Sequence, residues 1–169
     1  MQNLYFSIVM LFLSSCKQDS SVVIRNAPPD FGMPVKVNMV GYTGNIMEPF
    51  LSRDGNILFF NNLNTPPENT NLHWSTKIND STFQYKGEIA GVNTSELEGV
   101  ATADTNGLLY FVSTRNYAVT LSTLYQYNFS NGIATNVQLV NGVSVLQTGR
   151  VNFDVEVSTD GQALYFVDA

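Results

Sequence analysis

The chain has 169 residues, a formal net charge of −6, 44% hydrophobic and 13% charged residues. The acidic balance excludes a nucleic-acid partner, which needs clustered Lys and Arg to displace counterions, and equally an electrostatic grip on anionic lipid. The apolar content is enough to build a core, which excludes a disordered chain; one cysteine (Cys16) and one histidine (His73) exclude an internal disulfide framework and a zinc site of several Cys or His ligands.

Residues 4–13 (LYFSIVMLFL) form an apolar run broken only by Ser7. As a helix this run would span about 15 Å against a hydrocarbon core of roughly 30 Å. That is the length of a signal-peptide h-region, not of a membrane span. Leu13-Ser14-Ser15-Cys16 follows. It resembles the bacterial lipobox, an aliphatic residue and two small residues before the cysteine that receives lipid. The resemblance implies diacylglyceryl transfer to the Cys16 sulfur and cleavage just before it. Residues 1–15 are then a lipoprotein signal peptide, and residues 16–33 the lipidated cysteine and its tether. Met1-Gln2-Asn3 lacks the basic residue usual in an n-region. Lys17 with Asp19 is similar to the charged tags that send some Bacteroidetes lipoproteins to the cell surface.

Beyond the tether, residues 34–40 (PVKVNMV) read as a strand. A unit then recurs three times. Glu48, Glu98 and Asp154 each stand six positions before an aspartate (Asp54, Asp104, Asp160). A glycine turn follows (Gly55, Gly107, Gly161), then an apolar run ending in an aromatic pair. Aligned on the aspartates, the second copy has a turn one residue longer. Glycine supplies the positive φ of a tight hairpin, and Asp or Asn bonds the turn backbone. The runs at 57–60, 108–112 and 163–167 predict strands buried on both faces. Further strands are predicted at 72–76, 85–89, 124–129 and 135–140, separated by Asn- and Gly-containing links. The total is four strands per unit of roughly fifty residues, the proportions of a propeller blade.

The acidic residue, Ser-x-Asp-Gly and Leu-Tyr-Phe pattern resembles WD-like β-propeller repeats. Such repeats occur in the periplasmic propeller of the Tol system and in many Bacteroidetes lipoproteins. The resemblance implies an all-β fold: residues 34–47 as an N-terminal closing strand and link, 48–97 as blade one, 98–153 as blade two and 154–169 as the start of blade three. About two and a half blades of a six- or seven-bladed ring would be present, so the chain is expected to be a fragment. An ordinary β-sandwich with similar hairpins is the alternative.

In that fold Glu48, Glu98 and Asp154 open the first strand of each blade and could converge at one channel mouth. Converging carboxylates suit Ca²⁺ or, as a pair, glycoside hydrolysis. The competing reading is structural: each acid bonds backbone N–H groups and fixes blade packing. His73 has no nucleophile at motif spacing, and Trp74 reads as packing. Arg53, Arg115 and Arg150 are too scattered for a basic patch. No EF-hand loop, phosphate loop or nucleophile elbow is present. The expected function is a lipid-anchored, non-catalytic propeller, at the outer membrane facing the periplasm or at the cell surface, that binds a protein, peptide or glycan without cofactor or resident metal. The alternatives are a propeller glycosidase or lyase whose decisive residues lie in further blades, and a purely structural envelope protein.

Overall fold

Each glycine turn closes a hairpin, and the hairpins build two antiparallel meanders and one two-stranded pair. The computed structural model describes residues 33–63 and 69–169. Cys16 and the whole signal segment lie outside the described residues. Within the unit Val35–Ala169, the first sheet contains β1 (Asn38–Val40), β2 (Met47–Leu51), β3 (Ile57–Asn61), β4 (Leu72–Asn79) and β5 (Thr82–Glu88). The second contains β6 (Glu98–Ala103), β7 (Leu108–Ser113), β8 (Leu124–Ser130) and β9 (Ile133–Leu139), with a single helical turn, α1 (Tyr117–Thr120), between β7 and β8. The third pairs β10 (Asn152–Val157) with β11 (Leu164–Asp168). The spatial orders are β1-β5-β4-β3-β2, β6-β7-β8-β9 and β10-β11. The protein is therefore mostly β, with curled sheets. Among the described residues no helix is long and apolar enough to cross a membrane.

Two features differ from the sequence expectation. The first concerns residues 34–47. Instead of standing apart as the closing strand of another blade, Asn38–Val40 adds to the outer edge of the first sheet. It runs parallel to β5, with Asn38 opposite Thr82 and Val40 opposite Gln84.

The second concerns the register of the repeat. In the first turn the Ser52 hydroxyl accepts from the Ile57 N–H (2.9 Å) and donates to the Asp54 carboxylate (2.6 Å). In the third, Ser158 does the same with the Ala163 N–H (2.9 Å) and Asp160 (2.7 Å). These serine hydrogen bonds hold both aspartates below the usual carboxylate range. In the second turn the corresponding acceptor is Asp104 itself, whose Oδ1 takes the Leu108 N–H at 3.0 Å. Asp104 thus occupies the serine position, and its turn is one residue shorter than the others, not longer. Gly55, Gly107 and Gly161 all have φ between 72° and 81°, as the reversal requires.

The first two apolar runs pack between sheets, whereas the third, Leu164–Asp168, leaves Tyr165 and Val167 exposed. It is not the strand buried on both faces that its sequence predicts, because no further strand of the described residues covers it. Phe59 and Leu72 of the first sheet share a buried cluster with Leu109, Phe111 and Tyr127 of the second. A smaller cluster joins Val112 and Leu124 to Val155 of the third sheet. The link after β5 runs beside β9: the Ala90 N–H donates to the Gly132 carbonyl and the Ala134 N–H to the Ala90 carbonyl, both at 2.8 Å. Trp74 lies edge-on to Phe129, ring centres 5.4 Å apart, and seals the joint against Gly132, where an added Cβ would stand 2.7 Å from the indole.

Candidate functional site

The first strands β2, β6 and β10 each contain a break in register, between Met47 and Phe50, Gly99 and Thr102, and Phe153 and Glu156. A non-glycine residue in the left-handed region sits at each break: Glu48 (φ 46°), Val100 (φ 54°) and Asp154 (φ 52°). Such backbone costs about 1–3 kcal/mol per residue and persists only where surrounding structure enforces it. It is least expected at Val100, which is β-branched, and at Glu48, which precedes Pro49.

These three positions line one cleft of about 210 Å³, together with Asn61, Thr70, Leu97, Gly99, Val112 and Phe153. The Glu48 carboxylate lies against Gly99, with Oε2 3.4 Å from where a Cβ would be. The Val100 N–H donates to the Asn61 side-chain oxygen at 3.4 Å. Thr70 is fully buried, and its hydroxyl has no hydrogen-bond partner among the described residues.

The structure brings Glu48 and Asp154 together here and leaves Glu98 out. Counting from Ser52, Asp104 and Ser158, the position of Glu48 and Asp154 is filled in the second sheet by Val100. Glu98 lies two residues earlier, opposite Ser113, where the third sheet has Asn152 opposite Asp168. Glu98 is fully buried. It accepts from the Thr94 N–H, the Thr94 hydroxyl and the Ser113 hydroxyl, each at 2.8 Å, and pairs with Arg115 at 3.1 Å. Arg115 also donates to the Ser113 hydroxyl and the Val92 carbonyl. Its guanidinium lies 5.3 Å from the ring centres of both Phe111 and Tyr125.

The arginines that form no patch in the sequence each have a specific task. Arg53 donates to the Ala103 carbonyl (2.9 Å), the Val157 carbonyl (2.6 Å) and Glu156 (2.6 Å), so one side chain of the first sheet holds the other two. Arg150 pairs with Asp168 at 3.0 Å. A larger cleft of about 390 Å³ lies beside Arg53, between Asp54 and Asp104, over Phe59, Leu109 and Phe129. Its polar lining is committed elsewhere: Arg53 to those carbonyls, Ser52, Asp54 and Asp104 to their own turns, and Thr105 to the Thr159 carbonyl. The turn residues Asp54, Asp104 and Asp160 serve the hairpins described above. The second and third turns abut: the Thr105 N–H and hydroxyl both donate to the Thr159 carbonyl, at 3.0 and 2.9 Å.

His73 is buried under Phe60, with parallel rings 5.3 Å apart, and its Nδ1 lies 2.9 Å from the Tyr85 hydroxyl. Burial pushes the imidazole below its usual 6.5, and nearby Glu88 pulls the other way. The unfolded chain then takes up the proton first as the pH falls. Stability from neutral His73 is fully present above the unfolded value and is lost as the pH drops through it toward the lower folded value. Thermal melts of the wild type are expected to weaken between about pH 7 and pH 5. His73→Gln should flatten that step, and a variant profile parallel to the wild type would contradict the assignment.

Among the described residues no group of three His, Cys, Asp or Glu side chains could hold a metal ion. No protein-family model, curated protein or solved structure matches the chain. The likeness to WD-like repeats therefore rests on the residues and turns already described.

Proposed function

We propose that the protein is a bacterial envelope lipoprotein, anchored through Cys16, whose sheets are successive blades of a β-propeller, and that it binds a ligand or partner at the meeting of its first strands without transforming it. One observation carries this reading: three corresponding strands break at the same point and line one cleft, whose lining includes Glu48, Asp154 and Thr70, the last with a buried hydroxyl that has no partner among the described residues. Support for the propeller is the shared strand order within the first two meanders and the repeated Gly turn. Support for the anchor is the apolar run ending in Leu13-Ser14-Ser15-Cys16. The partner is an envelope protein, peptide or glycan, on the periplasmic or outer face of the outer membrane.

The anchor is tested by expressing the chain in a bacterium supplied with labelled palmitate. Wild type should carry the label and sediment with membranes. Cys16→Ser should lose the label and leave the membrane fraction. Equal labelling of the two would overturn the anchor.

The pairing of Glu48 with Asp154 favours one alternative, a glycosidase, because the acids are unequal: the third position is Val100 and Glu98 is held in an ion pair. Two carboxyls about 5–5.5 Å or 6.5–9.5 Å apart are the requirement for that chemistry. Hydrolysis of an aryl glycoside that disappears in both Glu48→Gln and Asp154→Asn would establish it and displace the binding reading.

A further inference from the structure

Thr70 is completely buried, yet its hydroxyl is unpaired among the described residues and the residue walls the cleft that Glu48 and Asp154 line. Leaving such a group unpaired is costly, and native structures rarely do so without a reason. Two carboxylates only accept hydrogen bonds, and a threonine hydroxyl both accepts and donates. The polar part of the lining therefore suits a group that carries positive charge and several donors. Part of the lining is apolar. Leu97, Val112 and Phe153 present carbon, which suits an apolar stem, and an aromatic ring attracts a cation over its face.

We propose that this cleft takes an alkylammonium group, a primary amine on a short apolar stem, such as a lysine side chain presented by a partner. The proposal rests on the binding reading above and names its ligand class. A bare Ca²⁺ ion suits the cleft less well. It takes six to eight oxygen ligands, whereas the wall is largely hydrocarbon and the described residues include no group of three His, Cys, Asp or Glu side chains able to hold a metal. The volume of about 210 Å³ also exceeds the roughly 30 Å³ share of one water many times over, leaving room for a chain of several carbons. The net charge of −6 favours the approach of cations.

The test follows the Gly99 and Val100 amide resonances of isotope-labelled full-length protein as millimolar n-butylammonium is added. Saturable shifts are expected. Glu48→Gln and Asp154→Asn should each weaken the apparent affinity at least about tenfold, or about 1.4 kcal/mol. Glu96→Gln, an exposed acid outside the cleft, should leave it unchanged. Melting curves of the variants keep loss of binding apart from loss of fold. An Ala-Lys-Ala amide that binds more tightly than n-butylammonium identifies a partner's side chain as the source. Equal affinity identifies a free amine, and either result supports the ligand class. Equal shifts with n-butanol would reduce the cleft to an apolar slot and overturn the proposal. Calcium ions that produce the same shifts at lower concentration would also overturn it. A methyl glycoside that shifts these resonances while the amine does not would remove the amine and leave the binding reading standing. Loss of the Cys16 label difference would remove the anchor and leave the amine.

Discussion

Glu98→Ala is expected to lower the free energy of unfolding by about 3–5 kcal/mol, the cost of removing one partner from a buried ion pair. The Glu98 carboxylate is fully buried, whereas the Arg115 side chain keeps 14% of its surface. Alanine at position 98 would leave that guanidinium facing the Thr94 and Ser113 hydroxyls without a counter-charge. Glu98→Gln keeps an acceptor oxygen for those hydroxyls but not the charge, so it should fall between wild type and Glu98→Ala. Arg115→Met removes the cation and leaves the carboxylate with its three hydroxyl and backbone donors. The double variant Glu98→Ala, Arg115→Met should be less damaging than the sum of its single changes, because neither charge remains to be left alone. Urea unfolding of wild type, Glu98→Ala, Arg115→Met and the double variant completes the cycle, and Glu98→Gln is measured beside them. A cost below about 1 kcal/mol for Glu98→Ala, or strict additivity in the cycle, would show that the pair is no more than a surface contact.

Gly91→Ala should destabilise the protein by roughly 2–5 kcal/mol, from two sources. Gly91 has φ +86°, and a left-handed residue with a Cβ costs about 1–2 kcal/mol. The added Cβ would also stand 2.8 Å from the Ala134 carbonyl oxygen. That neighbour is backbone, so it cannot swing aside as a side chain would, and overpacking of this kind costs about 1–3 kcal/mol. The damage falls on the hydrogen bonds joining Ala90 to Gly132 and Ala134, which tie the link after β5 to the second sheet. Gly142 is the control. Its φ is +79°, and nothing lies within 4 Å of where its Cβ would be. Thermal melts of the two alanine variants separate conformational cost from collision. Equal losses at Gly91 and Gly142 would show that the sheets do not depend on this close approach.

Strand positions were legible because apolar runs between Gly turns have few other uses. The runs predicted at 57–60 and 108–112 became Ile57–Asn61 and Leu108–Ser113. The run predicted at 85–89 begins three residues earlier, at Thr82, because the tight Asn79 turn lets pairing start at once. The four-residue helix Tyr117–Thr120 left no trace, being too short to show a period. The acids were misaligned for a more instructive reason. Ser52, Asp104 and Ser158 do the same work with different atoms, a hydroxyl in two cases and a carboxylate oxygen in the third. An alignment on aspartate therefore matched Asp104 to Asp54 and brought Glu98 into a register it does not hold. The glycines carried the better signal, since Gly55, Gly107 and Gly161 each stand seven residues after Glu48, Val100 and Asp154. The Glu98–Arg115 pair needed the hairpin register, which sets Glu98 opposite Ser113, and the turn after β7, from which Arg115 reaches back to the Ser113 hydroxyl and the Glu98 carboxylate. The Thr70 hydroxyl, unpaired among the described residues, needed the fold itself, because no local pattern says which threonine will be buried.

The tips of β-hairpins are usually where a chain accepts extra residues. The first hairpin reverses that expectation, because Arg53 reaches from its turn to carbonyls on β6 and β10. Lengthening residues 52–57 would carry the guanidinium away from partners whose positions are set by two other sheets. The permissive place for an inserted tag or domain is between β9 and β10, at the exposed residues Val145 and Leu146, ahead of residues 147–150, which are tied to Tyr117 and Asp168. Engineering this protein, or tracing how its length has drifted, begins at that connection and leaves the glycine turns alone.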